Sequence, residues 1–317
     1  MYSTLKTPQI VHPGHFYYHS MMPKITKCII FNAGAETRQA FVSGLGELPY
    51  ECYHTKHLML HIKKGVQPVF LHKNVPIDWT GAFIFTRLCA TDQQFVGILY
   101  DYLRRTGIPA NDSINRSYVD TAKKISQMLL LSESDVSVPE TFIFREESFE
   151  RNKDHLKANI SFPCVFKTDG SKGNNVHYVS SWQELEEQVK RKKPHVLCLV
   201  QPFLENEYDT RTLVAYGEVL GAIRRTRARG HLNNVTQGAV PSLHELTEKE
   251  SSLALCAAEV CRVDIAGVDM INTPDGTLVI EVNKSPQVKG FESVHKFKVF
   301  ERVAELMRKR YEGPLQN

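Results

Sequence analysis

Two carboxylates and one carboxamide near the carboxyl end of the chain have the chemistry to bind a divalent cation. The segment 266–283 reads AGVDMINTPDGTLVIEVN and contains Asp269, Glu281 and Asn283. Its central Pro-Asp-Gly is typical of a tight turn between two strands. With a three-residue loop, Asp269 lies directly opposite Glu281, and Asn283 follows on the same face. Oxygen ligands of this kind suit Mg²⁺, which binds them together with phosphate oxygens.

The register of this hairpin decides whether the three oxygen ligands converge. A three-residue loop pairs Thr273 with Thr277 and leaves a second, apolar face, which comprises Val268, Met270, Leu278, Ile280 and Val282. A two-residue loop would instead place Asp269 opposite Ile280. The alternative to a metal site is an ordinary half-exposed hairpin with one polar face. Spacing alone leaves both interpretations open.

A second segment has the composition of a phosphate-binding loop. The apolar run 162–166 ends in Lys167, and the residues GSKG at 170–173 precede another strand. The backbone N–H groups of small residues between two strands can surround phosphate oxygens, and Lys167 adds a point charge. This is not a Walker A loop, because that motif leads into a helix with Gly-Lys-Ser/Thr. The alternative is a plain hairpin turn.

Several arginines follow this loop in the sequence, at Arg211, Arg224, Arg225 and Arg227. Arginines on strands beside a metal hairpin can hold a carboxylate or a phosphate through two parallel hydrogen bonds. The alternative is a charged edge strand that opposes aggregation, which we favour for Arg229. A pI near 8.6 and the lack of aromatic residues between these arginines argue against a nucleic-acid-binding protein.

Alternating strands and helices position these residues. The first part of the chain predicts a small parallel α/β sheet, with strands at 27–31, 67–71 and 81–86 and with helices from 36 and at 91–105. Farther on, the pattern predicts helices at 118–131, 248–261 and 298–310, strands at 142–144, 164–166 and 196–201, and a strand pair around 211–225. Ser181 and Thr247 each begin a capping box that opens a helix.

Composition narrows the class of protein. The 317 residues, 42% of them hydrophobic and 23% charged, suit two or three globular subdomains. No run approaches the ~18 apolar residues of a transmembrane helix, and residues 1–24 lack the apolar core of a signal peptide. The seven cysteines form no C-x-x-C pair, which disfavours zinc, and buried free thiols fit a reducing cytoplasm.

In their order along the chain, these pieces resemble the ATP-grasp superfamily, and within it the RimK-type, alpha-L-glutamate ligase-like amine/carboxylate ligases. The similarity spans roughly residues 110–295. It rests on the Lys167 strand with its GSKG loop, on QPFL at 201–204 followed by Asp209-Thr-Arg211, on Asn234 with Gly238, and on the block 266–286. Each piece is weak alone, whereas their common order is specific.

The resemblance implies an α/β (α+β) ATP-grasp fold, in which an N-terminal Rossmann-like subdomain precedes two α+β subdomains that grip ATP. The implied divisions are a tail at 1–24, the first subdomain at 25–110, a central subdomain with the glycine-rich loop at 111–195, and a C-terminal subdomain with the metal site at 196–317. The implied activity is ATP- and Mg²⁺-dependent ligation of a carboxylate to an amine through an acyl phosphate, with Mn²⁺ as an alternative metal.

The resemblance also implies roles for individual residues. ATP would be bound by Lys123 (or its neighbour Lys124), Lys167, Gly170, Ser171, Gly173, Gln201, Phe203, Leu204 and Asp209. Mg²⁺ would be bound by Asp269, Glu281 and Asn283. The substrate carboxylate and its acyl phosphate would face Arg211, Arg225, Asn234 and Ser285. Gln237-Gly238-Ala239 replaces the Arg-Gly-Gly of the family, so the substrate side differs.

Two further expectations follow from the resemblance. The substrates are small-molecule or peptide carboxylates and amines, without a nucleic-acid or membrane partner, and related ligases often form dimers or tetramers, so a homo-oligomer is one option. The alternative function is an ATP-binding regulatory module of the same fold without ligase turnover. The complete trio Asp269, Glu281 and Asn283 favours the enzyme, because a binding-only relative is free to lose metal ligands.

Overall fold

A computed structural model describes residues 24–64, 67–87, 93–112, 124–168, 176–226 and 240–312. Within these ranges the strands form four sheets, and no helix is long and apolar enough to cross a membrane. The cysteines at 28, 52, 164, 198, 256 and 261 are free thiols. Four of them are buried, as expected, but Cys52 is exposed because it lies on an edge strand. Cys89 lies outside the described residues.

The first sheet is parallel, as the sequence predicts. β1 (Lys27–Phe31) lies between β2 (Tyr50–Tyr53) and β6 (Ala82–Thr86). Every residue of β6 is buried, because both faces of a parallel sheet are normally covered. α1 (Ala35–Gly44) follows β1, and α2 (Gln93–Thr106) follows β6.

A separate antiparallel sheet follows β2 and contains β3 (Leu58–His61), β4 (Val69–His72) and β5 (Val75–Pro76). The strand predicted at 67–71 is β4, so its expected place in the parallel sheet was wrong. The reason is the turn at Lys73 and Asn74, since both residues have positive φ and such a two-residue turn favours a hairpin.

The central sheet is antiparallel and has the order β7-β10-β8-β9. Its strands are β7 (Phe142–Arg145), β8 (Cys164–Thr168), β9 (Val176–Val179) and β10 (Leu197–Pro202). The helices in this part of the chain are α3 (Lys124–Ser132), α4 (Lys153–Asn159) and α5 (Trp182–Lys190). β10 lies beyond residue 195, the predicted end of the central subdomain, and still pairs with β7 and β8. The domain boundaries themselves stay predictions.

The largest sheet has five antiparallel strands in the order β13-β12-β11-β14-β15. They are β11 (Tyr208–Ala215), β12 (Glu218–Thr226), β13 (Val240–His244), β14 (Ile265–Thr273) and β15 (Gly276–Asn283). The remaining helices are α6 (Glu248–Val260), α7 (Lys289–His295) and α8 (Val299–Glu312). The predicted capping box at Thr247 is present in full, and the Ser181 side chain accepts a hydrogen bond from Glu184 N.

Two contacts join the first sheet to the carboxyl-terminal part of the chain. α8 packs on α1 so closely that a Cβ at Gly44 would lie 2.2 Å from the Glu301 carbonyl oxygen. In addition, Asp112 Oδ1 accepts hydrogen bonds from the backbone N–H groups of Asp264 and Ile265, at 3.0 and 3.2 Å. The N-terminal layer and the five-stranded sheet are therefore held together by backbone-level contacts.

We expect Gly44→Ala to destabilise the protein by about 1–3 kcal/mol, because the added methyl group meets backbone that must shift. Gly97→Ala is the matched control, since a Cβ at this exposed helical position meets nothing within 4 Å, and it should stabilise by about 0.5–1 kcal/mol. Denaturant unfolding measures both. Equal changes in the two variants would contradict the close contact between α1 and α8.

Burial and the nearby charge of Asp264 raise the pKa of Asp112 to about 7. Between the unfolded pKa near 4 and this value, the folded protein keeps a proton that the unfolded chain releases, so stability from this group is lost as pH rises. In Asp112→Asn, which keeps an oxygen for both N–H groups, that loss disappears. The variant should gain up to about 4 kcal/mol on the wild type between pH 4 and 8, whereas parallel pH profiles of unfolding would contradict the assignment.

Candidate active site

The hairpin of β14 and β15 brings the predicted metal ligands together. Asp269 pairs with Glu281, and Gly267 pairs with Asn283, so Asp269, Glu281 and Asn283 share one face as predicted. The loop was wrongly predicted, because Thr273 pairs with Gly276 and only two residues form the turn. A β-bulge next to Asp269 adds the missing residue on β15 and restores the facing pair.

The bulge also changes which side chains support the hairpin from behind. Val279 is fully buried there, packed with Val268, Met270 and Val282 against the alanines of α6. Leu278 and Ile280 were predicted on this face and are instead only half-buried, because the alternation of side chains shifts by one residue at a bulge. The apolar support for the predicted metal ligands is therefore present, but Val279 takes part in it in place of Leu278 and Ile280.

Three buried charges and one half-buried charge, that of Arg211, form cross-strand pairs on the polar face, and we call Asp209, Arg211, Arg225 and Asp269 the charged quartet. Arg211 faces Asp269 across β11 and β14, and Asp209 faces Arg225 across β11 and β12. Arg211 donates to both oxygens of Asp269 at 2.7 Å. Arg225 donates to both oxygens of Asp209 at 2.6 and 2.7 Å, and its Nη2 also lies 3.1 Å from Asp269 Oδ2.

Burial and the guanidinium charges act in opposite directions on the two acids of the charged quartet. Burial raises the pKa of Asp269, but Arg211 and Arg225 outweigh it and hold that pKa below its ordinary value. At Asp209 burial dominates over Arg225 and raises the pKa to about 6. Burial lowers the pKa of Arg225, and the two carboxylates more than reverse this. Asp269 is therefore kept ionised, as a cation ligand must be.

The amide of Asn283 completes the polar face. One of its terminal atoms lies 3.3 Å from Asp269 Oδ2. In the orientation that satisfies both ends of the amide, its nitrogen donates to Glu281 Oε1 at 3.0 Å and its oxygen accepts from Arg211 Nη2 at 3.3 Å. Among the described residues no three His, Cys, Asp or Glu side chains cluster as a metal site. The hard oxygen ligands that fit Mg²⁺ thus depend on this amide.

The central sheet holds the residues expected at the nucleotide. Lys167 Nζ donates to Gln201 Oε1 at 2.6 Å, and Gln201 Nε2 donates to Thr141 Oγ1 at 2.9 Å. The N–H of Phe203 is bonded to the Pro163 oxygen at 3.0 Å, and Leu204 follows it directly. Lys167 and Gln201 are thus brought together, while their roles at ATP stay predictions.

The remaining predicted residues fall into two groups. Asp209 lies in the charged quartet, so its expected contact with the nucleotide stays a prediction, and Ser285 is exposed at a cavity mouth. Several predicted residues lie outside the described residues, namely Lys123, Gly170, Ser171, Gly173, Asn234, Arg227, Arg229 and the side chain of Lys124.

A cavity of about 420 Å³ adjoins the charged quartet and is lined by Arg211 and Arg225 from the five-stranded sheet. Arg87, Lys289 and Glu36 also line it, and sequence reasoning missed all three. The Arg87 guanidinium donates to the Lys284 oxygen at 3.2 Å and lies 4.7 Å from the centre of the Phe300 ring. The missed signal is that Arg87 directly follows β6, since ligands of parallel sheets bind beyond the carboxyl ends of strands.

Residues 121–307 match the family described as the RimK-like ATP-grasp domain. The chain belongs to this family. The predicted RimK-type membership is therefore confirmed, and the matched segment contains β7 to β15 together with the charged quartet. Arg87, Glu36 and the whole parallel sheet precede it.

Curated relatives of this RimK-like chain are named glutamate ligases. It is 30% identical over 199 residues to a probable alpha-L-glutamate ligase of Shewanella halifaxensis, which covers 61% of this chain and 42% of that protein. It is 32% identical over 216 residues to the coenzyme gamma-F420-2:alpha-L-glutamate ligase of Methanocaldococcus jannaschii, covering 66% of this chain and 72% of that one. The chain thus matches less than half of the Shewanella protein.

Solved structures of similar fold include the ATP-grasp ligase PsnB with a minimal precursor, with a TM-score of 0.65 at 16% identity over 90% of this chain and 99% of that one. The VanG D-Ala:D-Ser ligase from Enterococcus faecalis has a TM-score of 0.64 at 14% identity over the same shares. These likenesses confirm the predicted ATP-grasp fold.

We expect Glu281→Gln to reduce ATP turnover by roughly 100-fold or more, because one hard oxygen ligand loses its charge where phosphate charge must be neutralised. Asp275→Asn, at the exposed turn of the same hairpin, is the matched control and should retain turnover. Circular dichroism checks that both variants fold, and Mg²⁺ titration of ADP release makes the comparison. Full activity of Glu281→Gln would refute the metal assignment.

Proposed function

We propose that this protein is an ATP- and Mg²⁺-dependent ligase that joins a carboxylate to an amine as an amide through an acyl phosphate. One observation carries the proposal, namely that Arg211 and Arg225 bond to Asp269, the predicted metal ligand, and also line the adjoining cavity. The same guanidinium groups are therefore within reach of a bound cation and of a substrate carboxylate.

The charges around the cavity support a substrate with both an acidic and a basic end. Arg87, Arg211 and Arg225 are guanidinium groups that suit a planar carboxylate. Glu36 is 81% exposed and pairs with Lys289 at 3.2 Å, so a substrate amine can replace that lysine. An amino acid or a peptide terminus has this combination, and the glutamate ligases among the relatives act on such groups according to their names.

The proposed reaction follows from these positions. An oxygen of the substrate carboxylate attacks the γ-phosphorus of ATP, the bond to the β-phosphate oxygen breaks, and ADP leaves. Mg²⁺ held by Asp269, Glu281 and Asn283 would supply a charge that neutralises the transferred oxygens. Arg211 and Arg225 orient the acyl phosphate, and the amine then attacks its carbonyl carbon, loses a proton and expels phosphate.

Lys167 and Gln201 are proposed to bind different parts of the nucleotide. We assign the Lys167 ammonium to the phosphates, because it is the penultimate residue of β8 and lies three residues before the GSKG segment, and we assign Gln201 to the adenine side with Phe203 and Leu204. The hydrogen bond between Lys167 and Gln201 links the two ends of this binding region. A cytoplasmic location and self-association belong to the same proposal.

Hydroxylamine distinguishes this ligase from an ATP-binding regulatory module. In a panel of amino acids and peptides, the correct carboxylate alone, with ATP, Mg²⁺ and hydroxylamine, should yield a hydroxamate and release phosphate, because hydroxylamine captures an acyl phosphate. Adding the correct amine should replace the hydroxamate with an amide of the expected mass. Glu281→Gln is the negative control. Tight ATP binding without any substrate-dependent phosphate release would favour the regulatory module.

A further inference from the structure

The segment 52–77, which contains β3, β4 and β5, has an unusual charge. It has no Asp, Glu or Arg, but it contains four lysines and four histidines: Lys56, Lys63, Lys64, Lys73, His54, His57, His61 and His72. The summed charge of its four lysines equals the formal net charge of the whole chain, which is +4. The segment also precedes residues 121–307, which the family match covers, so the proposed ligase site does not explain it.

The sheet formed by this segment has an apolar inner face and a largely apolar outer face. Leu58, Leu60 and Phe70 pack inward on the first core. On the outer face, Met59 lies beside Leu71, and Leu71 lies beside Pro76. Met59 is 51% exposed on this face. At the strand ends, Ile62, which directly follows β3, and Val75, which pairs with His72 on the side of Leu58, are 69% and 66% exposed.

One edge of this sheet is open to pairing. In the order β3-β4-β5, β3 has a hydrogen-bonded neighbour on one side only within the described residues. An edge strand offers backbone N–H and C=O groups to an added strand, which is how many proteins bind an extended peptide. The apolar side chains of β3 and its flanks then provide contacts for alternate residues of that peptide.

The lysines form an exposed basic rim around this face. Among the described residues none of Lys56, Lys63, Lys64 and Lys73 forms an ion pair, whereas Lys27, Lys153 and Lys289 each do. Lysine on an edge strand also opposes aggregation, yet four lysines that form no ion pair among the described residues leave a single-sign field that attracts an anionic partner.

The positive charge of these lysines also affects the pKa values of two histidines, His57 and His72. Their rings are close, with centroids 6.1 Å apart for His54 and His57 and 5.8 Å apart for His57 and His72. Partial desolvation lowers the pKa of His57, and so do Lys56, Lys73 and the two neighbouring histidines. Burial and Lys73 lower the pKa of His72, whose ring also faces Tyr53 at 4.6 Å. Added negative charge would raise both pKa values.

We infer that the outer face and edge of the β3–β5 sheet, with its lysine rim, form a docking surface for an extended acidic peptide segment of a partner protein. Aliphatic anchors and an open strand edge suit a peptide. Recognition of single-stranded nucleic acid normally uses exposed aromatic rings and arginine, and the segment 52–77 has no arginine, with Tyr53 and Phe70 turned to the core. The idea that this docking surface recruits a ligase substrate rests on the proposed function. The binding of an acidic peptide does not depend on that function.

The test measures binding of a fluorescent ten-residue peptide of alternating Glu and Val to the full chain without ATP, by polarisation. Lys63→Glu/Lys64→Glu should weaken binding by about 10-fold or more, and Lys190→Glu/Lys193→Glu, an equal charge change at an exposed site elsewhere, should change it less than about 2-fold. Binding should weaken with salt and strengthen between pH 7.5 and 6 as His57 and His72 gain protons.

Three outcomes would overturn the inference. They are equal losses in the two double variants, equal binding of a Lys-Val peptide, and tighter binding of single-stranded RNA or anionic vesicles than of the acidic peptide. Phosphate release with small substrates should be unchanged in Lys63→Glu/Lys64→Glu. If the wild type releases no phosphate with any substrate, the proposed function fails, but the peptide measurement still decides the docking surface.

Discussion

The bonds between Asp269 and its two arginines are the interaction on which the rest of the site depends. A buried carboxylate is stable only when its charge is compensated, and here two guanidinium groups compensate two carboxylates across three adjacent strands. The charged quartet is therefore neutral as a unit. Loss of one member leaves an uncompensated charge in a region from which water is largely excluded, so each of the four residues constrains the other three.

The architecture around the charged quartet serves to hold its strands in register. On the back of the sheet, Val268, Met270, Val279 and Val282 pack against small residues of α6. A slip by one residue would turn this apolar set towards the polar face and the acids towards the core. The apolar packing thus specifies the register, and the register places Arg211 opposite Asp269 and Arg225 opposite Asp209.

Sequence reasoning reached the facing pair of Asp269 and Glu281 through two errors that cancel. It assigned three residues to the turn, which has two, and no extra residue to a bulge, which has one. The pairing of Asp269 with Glu281 depends only on the sum of these two numbers, and that sum is three in both cases. A bulge has little local sequence signal, because it is stabilised by the strands on either side. Family resemblance identified the arginines, whereas their pairing with the acids depends on β11 as the shared neighbour of β12 and β14.

Other features were beyond prediction because they arise from tertiary contacts. The position of Arg87 after β6 marks it as a possible ligand-binding residue, but nothing near residue 87 in the sequence indicates that its guanidinium packs on Phe300 of α8. The strand at 67–71, which is β4, was wrongly predicted as part of the parallel sheet because a short apolar run fits either place. In both cases the local pattern gave the type of element correctly and left its neighbours undetermined.

The packing of α8 on α1 has a consequence for folding during synthesis on the ribosome. Phe41 and Phe85 of the first layer share a core with Phe300, Val303 and Ala304, which are synthesised much later because they lie far along the chain. Translation proceeds at about 5–20 residues per second, so α1 and the parallel sheet keep an uncovered apolar surface until α8 has been synthesised. Closure of this core therefore depends on contacts between residues far apart in the sequence, and long-range closure of this kind slows folding.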